Sequence, residues 1–151
     1  MKTLVVEYSR DGHTGTLGLQ LARTLKADFD IIKDLKKRKG IIAYIFAGWD
    51  ALKGSTTKIS YSKDPKKYDL VIIGTPVWAG RPTPAILTYL KKYSFKKIAF
   101  FCVAGGGKPA KTFDIMEQLS KKPLATLCLR REEVDNDKFS KELAEFCRKI
   151  K

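Results

Sequence analysis

Apolar residues fall in blocks along this chain, and the blocks switch between the period of a strand and that of a helix. Thr3-Leu4-Val5-Val6-Glu7-Tyr8 is rich in β-branched and aromatic residues and mostly apolar without alternation, the pattern of a central parallel strand covered on both faces. Leu17, Leu19, Leu21, Ala22 and Leu25 then recur at helical spacing. Phe29 to Lys33 alternates more, as suits a strand nearer a sheet edge. Tyr68 to Gly74 and Lys96 to Val103 are continuous apolar runs that predict two more buried strands, the first of them central, and Leu124 to Leu129 predicts a last one. Helices are predicted over Ala85 to Tyr93, around Phe113, Ile115, Met116 and Leu119, and from Phe139 to Ile150. Ile41 to Leu52 is apolar on nearly every side and too long for a strand; it reads as a helix weakened at Gly48 and packed on the sheet, with a dimer contact or a flap near a ligand as alternatives. Gly54 to Pro65 is polar and reads as loop. Five strands alternating with helices predict one three-layer α/β domain, residues 1–151, with a parallel sheet and right-handed crossovers.

Three connections are unlike ordinary loops. Ser9-Arg10-Asp11-Gly12-His13-Thr14-Gly15, between the first strand and its helix, has almost nothing to fill a core but offers two hydroxyls and two glycines. The helix N-terminus falls within or just after it, so unpaired N–H groups and the positive end of the helix dipole suit an anion; the alternative is a tight N-capped turn. The spacing matches neither G-x-G-x-x-G nor a P-loop, which favours a single terminal phosphate over a dinucleotide or a nucleoside triphosphate. Thr75 to Pro84 holds three prolines and Trp78. Such a loop keeps its shape, and Trp78 serves as either a core plug or an aromatic wall for a planar ligand that Gly80 lets approach. Ala104-Gly105-Gly106-Gly107-Lys108 frees the backbone to lie flat against a ligand, or forms a plain surface turn.

Composition narrows the chemistry. With 151 residues and 44% hydrophobic content the chain can build one good core. A short N-terminal apolar run broken by Glu7, Arg10 and Asp11 predicts no signal peptide, no apolar run is long enough to span a bilayer, and the expected location is cytoplasmic. Cys102, Cys128 and Cys147 are widely spaced and suggest neither a disulfide framework nor a zinc site; they read as small core or helix-face residues. His13 is the only histidine, which disfavours hydrolytic or acyl-transfer catalysis, and no catalytic or metal-binding residue is expected. Lys and Arg total 30 against 16 acidic residues, a net charge of +14. Most of that charge is expected to be solvated surface, and what remains suits an acidic protein or an anionic substrate. The basic runs lack interleaved aromatics and any nucleic-acid module, so no specific nucleic-acid binding is expected.

Tyr8-Ser9-Arg10-Asp11-Gly12-His13-Thr14 resembles the phosphate loop of the flavodoxin family, usually Tyr-Ser-x-Thr-Gly-Asn-Thr, with Ser9, Gly12 and Thr14 matching. Asp11 replaces a threonine and adds negative charge; His13 replaces an asparagine and keeps a donor; Arg10 is placed to compensate. Gly74-Thr75-Pro76-Val77-Trp78-Ala79-Gly80 resembles that family's Gly-x-Pro-Val-Trp-x-Gly segment beside the isoalloxazine ring. The resemblance spans nearly the whole chain. It implies a flavodoxin-like doubly wound sandwich with strand order 2-1-3-4-5, the arrangement for which flavodoxin itself is the standard example. It also implies FMN as cofactor, with Ser9, Arg10, Asp11, Gly12, His13, Thr14 and Gly15 at the phosphate. Pro76, Val77, Trp78, Ala79 and Gly80 would border the ring, with the Gly80 carbonyl as the acceptor for reduced N5, and Ala104, Gly105, Gly106 and Gly107 would meet the pyrimidine end. The aromatic that many flavodoxins carry in this third loop is missing, and the strongly basic charge departs from the family's usual acidity. The function so implied is electron carriage between proteins, with an acidic redox partner, as monomer or dimer. The alternatives are an NAD(P)H-dependent quinone or flavin reductase and a basic binding module without FMN.

Overall fold

In a computed structural model of the protein, residues 1–36, 57–106, 109 and 111–151 are described. In chain order the elements are β1 (Thr3–Glu7), α1 (His13–Leu25), β2 (Asp28–Ile31), β3 (Lys33–Asp34), β4 (Ile59–Ser60), β5 (Leu70–Trp78), β6 (Arg81–Pro82), α2 (Pro84–Lys92), β7 (Lys97–Ala104), α3 (Thr112–Gln118), β8 (Thr126–Arg130), α4 (Arg131–Asp135) and α5 (Ser140–Lys149). The central sheet is β2-β1-β5-β7-β8, all parallel, so its strands taken along the chain lie in the order 2-1-3-4-5. The segment Ile41 to Leu52 lies outside the described residues. No helix among the described residues is long and apolar enough to cross a membrane.

The continuous apolar runs behave as two-faced strands should. Leu4, Val6, Val71, Ile73, Ile98 and Phe100 meet Ile86 and Tyr89 of α2 and Met116 of α3 on one side. Val5, Ile72, Ala99, Phe101, Leu127 and Leu129 meet Leu17 and Leu21 of α1 and Leu143 and Phe146 of α5 on the other. Three expectations need adjusting. The strand expected to stop at Gly74 runs on to Trp78, because Val77 and Trp78 pair with Pro82 and Arg81 in a short antiparallel return. The stretch read as loop includes β4, which pairs antiparallel with β3; two residues are too few to show a period. Arg131–Asp135 forms a helix of its own, too short and too charged to show an apolar face.

One contact sets how closely α1 lies on the sheet. Gly74 pairs with Glu7 on β1 and Phe101 on β7, and a Cβ on Gly74 would fall 2.0 Å from the Phe101 ring. The ring fills the space that the missing side chain leaves and reaches α1, where a Cβ on Gly18 would come within 3.2 Å of Phe101, Phe29 and Glu7 alike. Glu7 is thereby sealed under the helix, 1% exposed, and its Oε2 has no hydrogen-bond partner among the described residues. Burial pushes its carboxyl up to about 7.

Two outcomes follow from this packing. Gly74→Ala is expected to cost about 3 kcal/mol in urea unfolding, because the ring is enclosed on all sides, and Phe101→Leu should recover part of that loss. Glu7 is accepted by the fold in its protonated form, so its favourable contribution is complete below the unfolded carboxyl's range and is lost as pH rises toward about 7. Glu7→Gln is therefore expected to match the parent near the unfolded pKa and to exceed it by about 3 kcal/mol in mildly alkaline buffer, read from paired urea titrations across pH.

Candidate functional site

The loops after β1, β5, β7 and β8 all leave the sheet at its C-terminal edge, and strand order reverses between β1 and β5. A crevice opens where neighbouring crossovers diverge to opposite faces. The β1 loop begins at Ser9, whose Oγ accepts a hydrogen bond from the Gly12 N–H at 2.9 Å. Gly12 has φ +91°, a left-handed conformation that turns the chain sharply into α1. The Gly12 carbonyl accepts from the Thr16 N–H at 2.8 Å and from the Thr16 hydroxyl at 3.0 Å. No side chain caps the first turn, so the N–H groups there remain for a ligand, and Thr14 is buried at the same end. Gly15 lies one residue further into α1 and faces the sheet: a Cβ there would sit 3.5 Å from Glu7 Oε1 and 3.7 Å from Ser9 Cβ.

The second loop is a continuation of β5. Pro76 is buried, Val77 half-buried, and Trp78 packs edge-on against Tyr8 with ring centroids 5.7 Å apart, which ties the first loop to the second. Ala79 (φ 51°) and Gly80 (φ 72°) form a two-residue return into β6, the geometry of a type I′ hairpin. Ala79 adopts it at a steric cost that glycine would not pay. The fully buried Thr75 hydroxyl accepts from the Thr83 N–H at 3.2 Å and closes the base of the hairpin. The Gly80 carbonyl already accepts a hydrogen bond from the Thr112 hydroxyl at 3.1 Å.

Ser9, Arg10, Asp11, His13, Thr14, Pro76 and Trp78 line one cleft together with Val103 and Arg131. Gly12, Val77, Ala79, Gly80, Ala104, Gly105 and Gly106 belong to the same loops without lining it, and Gly107 lies outside the described residues. Val103 and Arg131 are the two residues that the sequence reading missed. Val103 was hidden as one more apolar residue of a buried strand. Arg131 directly follows the last strand, and the rule that ligands gather at strand C-termini is the signal that finds it.

Arg131 opens α4, and α4 grips the first loop at two points. Its Nη2 lies 3.7 Å from Asp11 Oδ2, while Asp135 Oδ1 lies 2.9 Å from His13 Nε2. The Arg131 guanidinium also bounds the third loop, since a Cβ on Gly105 would sit 3.4 Å from its Cζ. The two positions that depart from the flavodoxin signature, Asp11 and His13, are thus the two that α4 holds. His13 Nδ1 is buried with no partner among the described residues, a polar atom left for a ligand. Arg10, Arg81 and Arg131 supply positive charge at this edge. Lys2, Lys66, Lys67, Lys96, Lys121 and Lys122 precede strands, Lys97 opens β7, and all lie at the opposite edge.

No protein-family profile matches the sequence, and no curated protein matches it. Solved structures do resemble it. A flavoprotein from Lactobacillus acidophilus in complex with FMN shares 24% identity over 93% of this chain and 99% of its own, with a TM-score of 0.72. A Bacteroides eggerthii protein described as a flavoprotein shares 18% identity over 97% and 98%, TM-score 0.70. A flavodoxin from the domain Archaea shares 14% over 98% and 92%, TM-score 0.51. The likeness is one of fold, and the chain has the flavodoxin-like α/β architecture that its strand order describes.

Proposed function

We propose that this protein binds FMN in the cleft and carries electrons between partner proteins. The observation that supports the reading most directly is the convergence of the Ser9–Thr14 loop, Trp78 and Val103 on one crevice at the reversal of strand order. The residues fit the group. Ser9, Gly12, Thr14 and the uncapped first turn of α1 suit a terminal phosphate; Arg131 adds a charged donor; Trp78 offers an aromatic surface for a planar ring. Bound there, FMN supplies the redox chemistry, and the chain's own part is to bind it, orient it and limit water's access. The Lactobacillus acidophilus protein of the same fold, crystallised with FMN, supports the choice of cofactor. Arg10, Arg81 and Arg131 beside the cleft, not the lysines of the far edge, are the charges that suit an acidic partner at electron-transfer distance.

A second reading, an NAD(P)H-dependent quinone or flavin reductase, is favoured by the exposed Gly105 and Gly106 and the absence of an aromatic in that loop. A third, a basic module without FMN, draws on Asp11 alone.

The deciding experiment is FMN addition, gel filtration and a visible spectrum, followed by stepwise reduction. Retained flavin that accepts electrons one at a time supports the carrier. Retained flavin that accepts them in pairs, with steady NADPH turnover in the presence of a quinone, supports the reductase, and no retained flavin sinks both. Within the cleft, Arg131→Met is expected to weaken FMN binding about tenfold by fluorescence titration, the scale of one charge-assisted hydrogen bond. Asp11→Asn should strengthen binding, and the Arg131→Met penalty should shrink in that background, because part of the arginine's role is to offset Asp11.

A further inference from the structure

We propose that Cys102 and Cys128 form a reversible intrachain disulfide, a thiol-oxidation site on the face of the sheet opposite α1 and α5. The pairing is written in the register of the sheet. Cys102 of β7 is the direct partner of Cys128 of β8 in a parallel ladder, so both side chains leave on the same face. Neighbouring strands lie about 4.8 Å apart. That spacing is inside the Cα separation of about 4.4–6.8 Å that a disulfide spans. Alternation along β7 assigns the face: Phe100 packs with the α2 and α3 cluster, Phe101 and Val103 with the α1 and α5 cluster, and Cys102 falls with Phe100. Cys147 packs in the other cluster, across the sheet from the pair.

The two thiols have unequal surroundings, and the inequality gives each a part. Cys102 is fully buried, while Cys128 is only half-buried, on the outermost strand of the described sheet. Across the ladder the Cys102 thiol, as hydrogen-bond donor, holds Cys128 below the usual thiol range and is itself raised, with burial and then Glu133 opposing the effect on Cys128. Cys128 is therefore the attacking sulfur. With a hydroperoxide as the two-electron oxidant, the Cys128 thiolate attacks the O–O bond, giving a sulfenic acid and, after proton uptake, an alcohol or water. The Cys102 sulfur then attacks Cys128 Sγ, forming the S–S bond and releasing water that carries away the Cys102 proton and the sulfenic oxygen. Two thiols and one hydroperoxide become one disulfide, one alcohol and one water, or two waters where the oxidant is hydrogen peroxide. This inference does not depend on what the cleft binds.

The test is hydrogen peroxide treatment of the folded, reduced protein, read by intact mass and by peptide mapping after alkylation of free thiols. The expected result is loss of two hydrogen atoms, a linked peptide joining Cys102 and Cys128, a free Cys147, and full return of the thiols on adding dithiothreitol. Cys147→Ser should leave the linkage intact and Cys128→Ser should abolish it. If Cys128→Ser does not fold, iodoacetamide labelling of the native parent serves in its place, with Cys128 expected to react at least tenfold faster than Cys102 or Cys147. Oxygen addition at Cys128 without a linked peptide, linkage through Cys147, or equal labelling of all three thiols would overturn the proposal.

Discussion

The structure turns on the Phe101 ring lying in the space left by the missing side chain of Gly74. In a parallel sheet with helices on both faces, every position on a central strand must be filled from one side or the other. At Gly74 the filling comes from the neighbouring strand, and that frees α1 to lie low over β1, with Gly15 and Gly18 against Glu7. Close approach of α1 brings its N-terminus level with the ends of β5 and β7, which is where the crevice forms. A wider residue at Gly74 would lift the ring, the helix and the phosphate loop together.

That low seat also explains Glu7. A carboxyl held under a helix by two aromatic rings and two glycines has lost water, and its Oε2 has gained no partner among the described residues, so its proton is retained to about neutral pH. Its Oε1 and Ser9 Cβ bound the same point beside Gly15, so its charge state is felt at the base of the anion loop.

Around the crevice, departures from a familiar pattern are matched by a neighbouring element. Asp11 looks unfavourable in the loop taken by itself, yet α4 presents Arg131 to it and Asp135 to its neighbour His13. Part of the positive charge is likewise divided by the fold: Arg10, Arg81 and Arg131 stand at the cleft's edge of the sheet, and lysines before β1, β5, β7 and β8 gather at the far edge. Composition alone reports the sum and not this separation.

Local pattern was enough for the parallel strands, for α1 and for the loop between them, because continuous apolar runs, helical spacing and clustered glycines act within a few residues of themselves. It was enough to single out Trp78 as well, though not to see that β5 extends to reach it, since that extension depends on pairing with Arg81 and Pro82. The β3–β4 ladder, the Asp11–Arg131 contact and the Cys102–Cys128 register were illegible for one physical reason. Each joins residues far apart in the chain whose own surroundings are polar or unremarkable, and only the order of the strands brings them face to face. The sequence by itself determined which segments fold and what chemistry the loops can offer. Tertiary structure decided which of those loops share a cleft, which charges answer one another, and which thiols meet, because these follow from strand order and register, which no single segment encodes.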